Sequence, residues 1–289
     1  MRAVDVTTLE QRWLARPGSR RRTPLVMGIL NVTPDSFSDG GAYASVAQAV
    51  ARADAIVVEG ADIIDVGPES TRPGAKPVPA GEQLDRAIPV IRAIRRNHPD
   101  VAISIDTRSA EVAAAAIEAG ARVVNDVSAM RDDPAMADVV AGRGVIVVLM
   151  HRRGTSDNMQ AGGGPAYGDV VGEITDFLAG RVAWAVDRGV DRRRIVVDPG
   201  IGFGKRTEDN LRILNSVSRF AELGLPVLIG ASRKRFLKMT LGLDDPSARD
   251  AASVVCAALA ARDGAAIVRV HAVGETVQAL RLVGAMQRP

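Results

Sequence analysis

The feature that most constrains this chain is a repeat of two unlike segments. Short apolar runs at 25–30, 62–66, 101–105, 122–124, 145–149, 194–197, 226–229 and 266–270 have the length of buried strands. Between them lie alanine-rich segments with helical spacing, at 45–59, 81–96, 110–119, 169–188, 207–216 and 247–262, and a last one over about 275–286. Strand–helix units of this length predict a parallel sheet covered by helices. The phrases Glu59-Gly-Ala-Asp62, Glu118-Ala-Gly-Ala-Arg122 and Arg262-Asp-Gly-Ala-Ala266 each lead into a strand, with a glycine suited to the left-handed position that stops a helix. Some eight units in 289 residues favour a closed (β/α)8 barrel, and no Gly-x-Gly-x-x-Gly fingerprint argues for an open, doubly wound sheet. The expected organisation is a basic arm over 1–23, with a short helix at 9–14, followed by one barrel domain over 24–289.

Aromatic residues make up only 3% of the chain, so aliphatic residues and alanine must build its core. The net charge of +3 is too mild to call for nucleic acid, and no basic patch interleaved with aromatics supports such a partner. The single cysteine, Cys256, excludes an internal disulfide and reads as a buried small hydrophobe in a helical stretch. No secretory segment and no membrane-spanning run is visible, so no membrane partner is expected and the cytoplasm is the expected compartment.

The residues that end the strands carry the chemistry. In order they are Asn31, Asp65, Asp106, Asn125, Met150-His151, Asp198, the run Gly230-Ala-Ser-Arg-Lys234, and Arg269-Val-His271. The C-terminal ends of barrel strands converge on one mouth. A single aspartate there could be an ordinary loop cap; a polar residue at nearly every strand end points to a site. Asp106, Asn125, Asp198 and Lys234 mix acceptors and donors, as the edge of an amide-like heterocycle requires, and a carboxylate accepting two N–H bonds from such an edge is a strong pairing. Asn31, Arg72, Arg269 and His271 suit a phosphate, and the run Ser232-Arg-Lys-Arg235 opens a helix whose free amides favour an anion.

Two loops stand over this mouth, and a third long one follows later in the chain. Residues 31–42 carry Asn31, Asp35 and Asp39, and Asn31 with one loop aspartate would serve a Mg²⁺ ion that arrives with phosphate. Residues 67–77 are stiffened by proline and offer Thr71 and Arg72. The glycine-rich stretch 152–167 reads as disorder.

These motifs carry a resemblance. Met27-Gly-Ile-Leu-Asn-Val-Thr-Pro-Asp-Ser-Phe-Ser-Asp-Gly-Gly41 and Asp65-Val-Gly-Pro-Glu-Ser-Thr-Arg-Pro-Gly74 resemble the two signatures of the dihydropteroate synthases. Ser104-Ile-Asp-Thr, Val124-Asn-Asp-Val, Asp198-Pro-Gly-Ile-Gly-Phe, Ser232-Arg-Lys-Arg-Phe and Arg269-Val-His follow in that family's order. The resemblance implies a pterin-binding barrel that condenses 6-hydroxymethyl-7,8-dihydropterin diphosphate with 4-aminobenzoate, giving 7,8-dihydropteroate and pyrophosphate. By position it implies that Asp106, Asn125, Asp198 and Lys234 read the pterin edge and that Met150 lines its pocket. Asn31, with Asp39, would hold magnesium. Arg72, Arg269 and His271 would clamp the diphosphate, with Thr71 touching substrate, and Gly202, Phe203, Ser232, Phe37 and Pro73 would surround the aminobenzoate where the family binds sulfonamides. Asp106, Asp198, Lys234, Arg269 and His271 are the residues expected to act in catalysis. A homodimer through the last helices is also implied.

The chain departs from the family pattern at Pro68, Ala272 and Ala251-Ala252. Other enzymes and binders remain open: a non-catalytic pterin-binding paralogue, a sulfonamide-insensitive synthase, and a methyltetrahydrofolate-dependent methyltransferase that shares the barrel.

Overall fold

The structure is a computed structural model. It describes residues 23–33, 42–70, 74–155, 159 and 165–287. Nearly all of the expected N-terminal arm, with its short helix, therefore lies outside the described residues.

Eight parallel strands form the sheet: β1 (Leu25–Asn31), β2 (Ile63–Gly67), β3 (Ala102–Asp106), β4 (Val123–Asp126), β5 (Ile146–Met150), β6 (Ile195–Asp198), β7 (Leu228–Ile229) and β8 (Ile267–Val270). Their order is β6-β5-β4-β3-β2-β1-β8-β7, and a parallel bridge between Val197 and Val227 joins the two ends. The sheet is thus the expected barrel. Around it lie α1 (Ala42–Val58), α2 (Ala80–Asn97), α3 (Ala110–Ala119), α4 (Met136–Arg143), α5 (Val170–Asp187), α6 (Thr207–Leu214), α7 (Val217–Ala221), α8 (Arg235–Leu241), α9 (Asp250–Arg262) and α10 (Val273–Met286). No described helix is long and apolar enough to cross a membrane.

Helix α4 and the short α7 were not foreseen. With only Met136, Ala137 and Val140 buried, α4 is too brief to show a period in sequence. Most strands end at least one residue later than their apolar run, because the ladder continues through the polar residue. Asp106 pairs with Asn125 and Met150 with Asp198 in register.

The period of two then sorts every strand. Leu25, Met27, Ile63, Ala102, Val123, Ile146, Val148, Val196, Leu228 and Ile267 point inward and pack as one small aliphatic core inside the barrel. Their neighbours, such as Val26, Ile64, Ile103, Val124 and Val147, face the helices in a second, larger core. Continuing the inward parity upward places Asn31, Asp65, Asp106, Asn125, Met150, Asp198 and Arg269 above the inner core. The same alternation that buries the floor builds the site.

Cys256 is half-buried rather than fully buried, against the outer core, and burial lifts its thiol to about 11, so it remains protonated. Close packing between strand and helices is tightest at Gly28. A β-carbon there would stand 2.6 Å from Ile56 Cγ2 and 3.1 Å from Val273 Cγ2, on α1 and α10. Gly28→Ala is expected to cost about 1–3 kcal/mol through overpacking, read as a melting temperature several degrees lower; an unchanged melting temperature would show that these helices yield freely.

Candidate active site

Arg269 sits at the centre of the mouth. From β8 its Nε donates to Asp65 Oδ2 at 2.6 Å and its Nη2 donates to Asp106 Oδ2 at 2.8 Å. Burial works against the charge on Arg269, but Asp65 and Asp106 outweigh it and hold the group above its usual value. Asp106 is pushed the other way. Burial raises it, Arg269 opposes the rise, and the Asp65 carboxylate adds to it, leaving Asp106 at about 7. Its second oxygen, Oδ1, is buried and has no hydrogen-bond partner. Asn125 donates from Nδ2 to Asp65 Oδ2 at 3.2 Å.

Lys234 closes the opposite side. Its ammonium donates to the Ile201 carbonyl at 2.5 Å and lies 4.7 Å from the centre of the Phe203 ring. Burial lowers Lys234 to about 8, with Asp198 resisting the fall and Arg269 adding to it. Asp198 accepts from the Gly200 amide at 2.7 Å and is raised by burial against the pull of Lys234. A β-carbon on Gly230 would lie 3.7 Å from Arg269 Cβ and 3.8 Å from Lys234 Nζ, so this glycine leaves the floor of the mouth open between the two cations. At the rim, Ser232 Oγ and His271 Nδ1 lie 2.9 Å apart, and the His271 amide donates to the same hydroxyl at 3.2 Å.

The predicted residues Asp106, Asn125, Met150, Asp198, Gly202, Phe203, Ser232, Lys234, Arg269 and His271 therefore converge on one mouth. Arg269, grouped by sequence with the phosphate set, turns into the barrel and joins the two carboxylates, while His271, two residues on, stays at the rim. Asn31 ends β1, where a β-carbon on Gly67 would come 3.3 Å from its Oδ1. Thr71, Arg72, Asp39, Phe37 and Pro73 lie outside the described residues. No group of three or more metal-ligating side chains of the His, Cys, Asp and Glu kinds occurs among the described residues.

Sequence reasoning missed three features. Asp65 was noted as a strand end but given no role. Lys205 is almost fully buried, and its amine meets His151 Nδ1 at 2.9 Å, the Phe203 carbonyl at 3.1 Å and the His151 carbonyl at 3.2 Å. Burial pulls Lys205 well below the usual lysine range, so this amine and the His151 ring meet as two groups whose charged forms are both disfavoured. Burial and then Lys205 push His151 down to about 2. The rarity of lysine in an arginine-rich chain was the available signal. The third feature is a rim of alternating charge: Glu69 pairs with Arg108, Arg108 with Asp132 and Asp132 with Arg152, each at 2.7–2.8 Å, linking four consecutive strand–helix loops. Described residues of the stretch expected to be disordered are packed, with Arg152 and Met159 buried and the Tyr167 hydroxyl donating to the Gly204 carbonyl at 2.8 Å.

A closed barrel whose mouth holds buried carboxylates, an amide and two cations belongs to the class of barrel enzymes that grip a flat, hydrogen-bonding heterocycle. Residues 27–271 match the model of the pterin binding enzyme family. The chain is 48% identical to the dihydropteroate synthase of Mycobacterium leprae, over 90% of this chain and 92% of that one. A Xanthomonas albilineans dihydropteroate synthase solved with 4-aminobenzoic acid superposes with a TM-score of 0.86 at 46% identity, covering 96% and 95% of the two chains. The synthase from the same organism in complex with 7,8-dihydropteroate superposes with a TM-score of 0.83 at 44% identity, covering 94% and 96%. The chain belongs to the pterin-binding enzyme family, among its dihydropteroate synthases.

Replacing Lys205 by methionine would strand two buried carbonyls beneath the Phe203 loop. Lys205→Met is expected to destabilise the protein by about 2–3 kcal/mol in chemical denaturation, and an unshifted transition would refute the load assigned to this amine.

Proposed function

We propose that this chain joins 6-hydroxymethyl-7,8-dihydropterin diphosphate to 4-aminobenzoate and releases pyrophosphate. The observation that carries this is the pairing at one mouth of acceptors and donors that match a pterin edge. Asp106 Oδ1 is a buried acceptor with no protein partner, Asp198 is a second buried carboxylate, and Lys234 is a buried ammonium donor. A 2-amino-pyrimidinone ring offers N–H groups to the carboxylates and a carbonyl to the lysine. Each of these bonds is charge-assisted and short of competing water, which makes it strong.

In the reaction the bond between the pterin methylene and the diphosphate oxygen breaks, and its electron pair leaves with pyrophosphate. The electron-rich dihydropterin ring spreads the positive charge left on the methylene. In their ionised forms, which Arg269 and Lys234 favour against burial, Asp106 and Asp198 stabilise that charge, the kind of preorganised term that usually dominates catalysis. The neutral amine of 4-aminobenzoate forms the new C–N bond and then loses its proton. Gly202, Phe203 and Ser232 border the place where this second substrate enters, and a sulfonamide would compete there. His271 and Ser232 at the rim, with Thr71 and Arg72, are assigned to the diphosphate.

Mg²⁺ fits as a companion of that diphosphate. Asn31 presents one amide oxygen at the rim, Asp39 is the second protein ligand we assign, and such an ion commonly takes one or two protein oxygens besides phosphate and water. When bound, the ion adds positive charge beside the leaving group.

We also infer a homodimer. Val255 and Leu259 on α9, and Leu282 and Met286 on α10, are all exposed apolar side chains at four-residue spacing. A second copy would cover them. Sedimentation of the purified protein is expected to give twice the monomer mass, and a monomer at all concentrations would remove this assignment.

The activity is tested by mixing the protein with both substrates and Mg²⁺ and following pyrophosphate. Release that depends on the aromatic amine supports a synthase, whereas pterin binding without release marks a non-catalytic paralogue. The pH dependence of pterin affinity gives a separate check. Asp106 must be ionised to accept, and it gains its proton as pH falls through about 7. Lys234 donates a charge-assisted bond only as the ammonium, and it loses that proton as pH rises through about 8. Affinity is expected to peak between these values and fall on both sides; a profile flat from pH 6 to 9 would contradict the assigned roles.

A further inference from the structure

We propose that Asp65 is a positioning residue for substrate recognition: its carboxylate fixes how Arg269 and Asn125 face the bound ring, without itself touching that ring. This rests on the pterin reading above and extends it.

Asp65 is fully buried on β2, beside Ile29 of β1 and Ser104 of β3 in the register of the sheet. From there one oxygen, Oδ2, reaches a residue two strands away in each direction. It accepts from Arg269 on β8 at 2.6 Å and from Asn125 on β4 at 3.2 Å. Its other oxygen, Oδ1, is buried and has no hydrogen-bond partner. Among the described residues, every hydrogen bond this carboxylate makes therefore passes through Oδ2 to two groups, and both border the substrate space.

The consequence for Arg269 is geometric. Its Nε is held by Asp65 and its Nη2 by Asp106, so one edge of the planar guanidinium is fixed at two points. A planar group held twice on one edge cannot turn within its own plane, and the Nη1 end is left for the mouth. Removing Asp65 leaves a single bond, about which the plane can swing.

The consequence for Asn125 is chemical. A carboxylate only accepts, so the amide must turn its Nδ2 toward Asp65. Its Oδ1 is then the atom offered to the substrate. Asp65 thereby determines that Asn125 meets the ring as an acceptor, a polarity that would reverse if the amide flipped. This selects a ring edge bearing an N–H at that point and rejects one bearing a lone pair.

A purely architectural role accounts poorly for the same residue. A buried carboxylate is costly to desolvate, and apolar side chains of similar volume usually give equal or greater stability. The inner core directly below is entirely aliphatic apart from Met27, and it would accept such a side chain at this height.

The experiment measures the affinity of 6-hydroxymethylpterin by calorimetry for wild type, Asp65→Asn, Arg269→Met and the double variant. It adds the KM for 4-aminobenzoate and the melting temperature. Asp65→Asn is expected to weaken pterin binding about tenfold or more, as for loss of a hydrogen bond to a charged group, while the KM for 4-aminobenzoate stays within about twofold. In the Arg269→Met background the same change should cost clearly less, because part of what Asp65 orients is already gone. Wild-type affinity in Asp65→Asn, or a loss that multiplies fully in the double variant, would overturn the proposal. Should Asp65→Asn fail to fold, Asp65→Glu keeps the charge, moves it by one methylene and is judged by the same outcomes. A wild-type protein that binds no pterin overturns the functional reading, and this inference with it; a wild type that binds alongside an indifferent variant overturns this inference alone.

Discussion

The molecule depends on keeping ionised groups inside a barrel without leaving them unpaired. A lone carboxylate at this depth would take up a proton, and a lone guanidinium would be strongly disfavoured. Arg269 meets two carboxylates at once, donating to Asp65 and to Asp106. Lys234 acts on Asp198 through its charge, as the largest influence opposing the rise that burial imposes. The balance is incomplete by design of position rather than of number. Asp106 keeps an unpartnered buried oxygen, so the layer is electrically paired yet still short of hydrogen bonds, which is the condition for gripping a polar ring.

That layer can exist because the strands carry two functions on one parity. Inward positions below are small aliphatics, and the next inward positions above are Asp, Asn and Arg. The loops then seal the top. The charged rim from Glu69 through Arg108 and Asp132 to Arg152 ties successive loops together. The loop after β6 is pressed onto the end of β5, since a β-carbon on Gly200 would collide with the His151 carbonyl and one on Gly204 with that of Arg153. Lys205 fastens the same seam from within, and that seam carries the Ile201 carbonyl and the Phe203 ring against which Lys234 rests.

Much of this was legible in the sequence. The eight units, the closed barrel and most helices follow from periodicity alone, because long alanine-rich helices and short apolar strands differ in length as well as pattern. The ring of strand-end residues was legible for the same reason: a buried run that stops at Asn or Asp is rarely a matter of core packing. What sequence could not show was direction. Arg269 and His271 stand two residues apart at one strand end, and only the fold reveals that one reaches down to two carboxylates while the other stays with Ser232. Lys205 was hidden because a lysine beside a glycine-rich loop looks solvent-exposed until the loop folds over it. The rim network joins residues from four loops, a pairing with no local signature.

The family departures can be weighed by the same physics. Proline at position 68 removes an amide donor and restricts Gly67. The loop base does not lean on that amide. The Pro68 carbonyl accepts from Arg86 Nη1 at 2.8 Å, and Glu69 is held by Arg108 and by the Val78 amide at 3.0 Å. One carboxylate thus pins residue 78 to residue 69, and the ends of the loop that carries Thr71 and Arg72 are fixed by side chains where the family pattern has a second glycine. Ala272 precedes α10 and makes no side-chain cap, but the Thr276 hydroxyl donates back to its carbonyl at 2.6 Å. An aspartate there would add a cap worth about 1 kcal/mol to the helix, so this departure acts on stability. The Ala251-Ala252 pair lies in the first turn of α9, and the polar contacts of that turn with Arg233 come instead from Ser253, which accepts from the Arg233 amide at 2.9 Å, and from Asp250, which pairs with the Arg233 guanidinium. Arg233 holds a left-handed backbone at φ 58, a conformation that costs energy in a residue with a side chain, and these two contacts secure it immediately before Lys234. The substitutions therefore fall on the supports of the site, where other bonds already bear the strain, and none falls on a group that faces the ring.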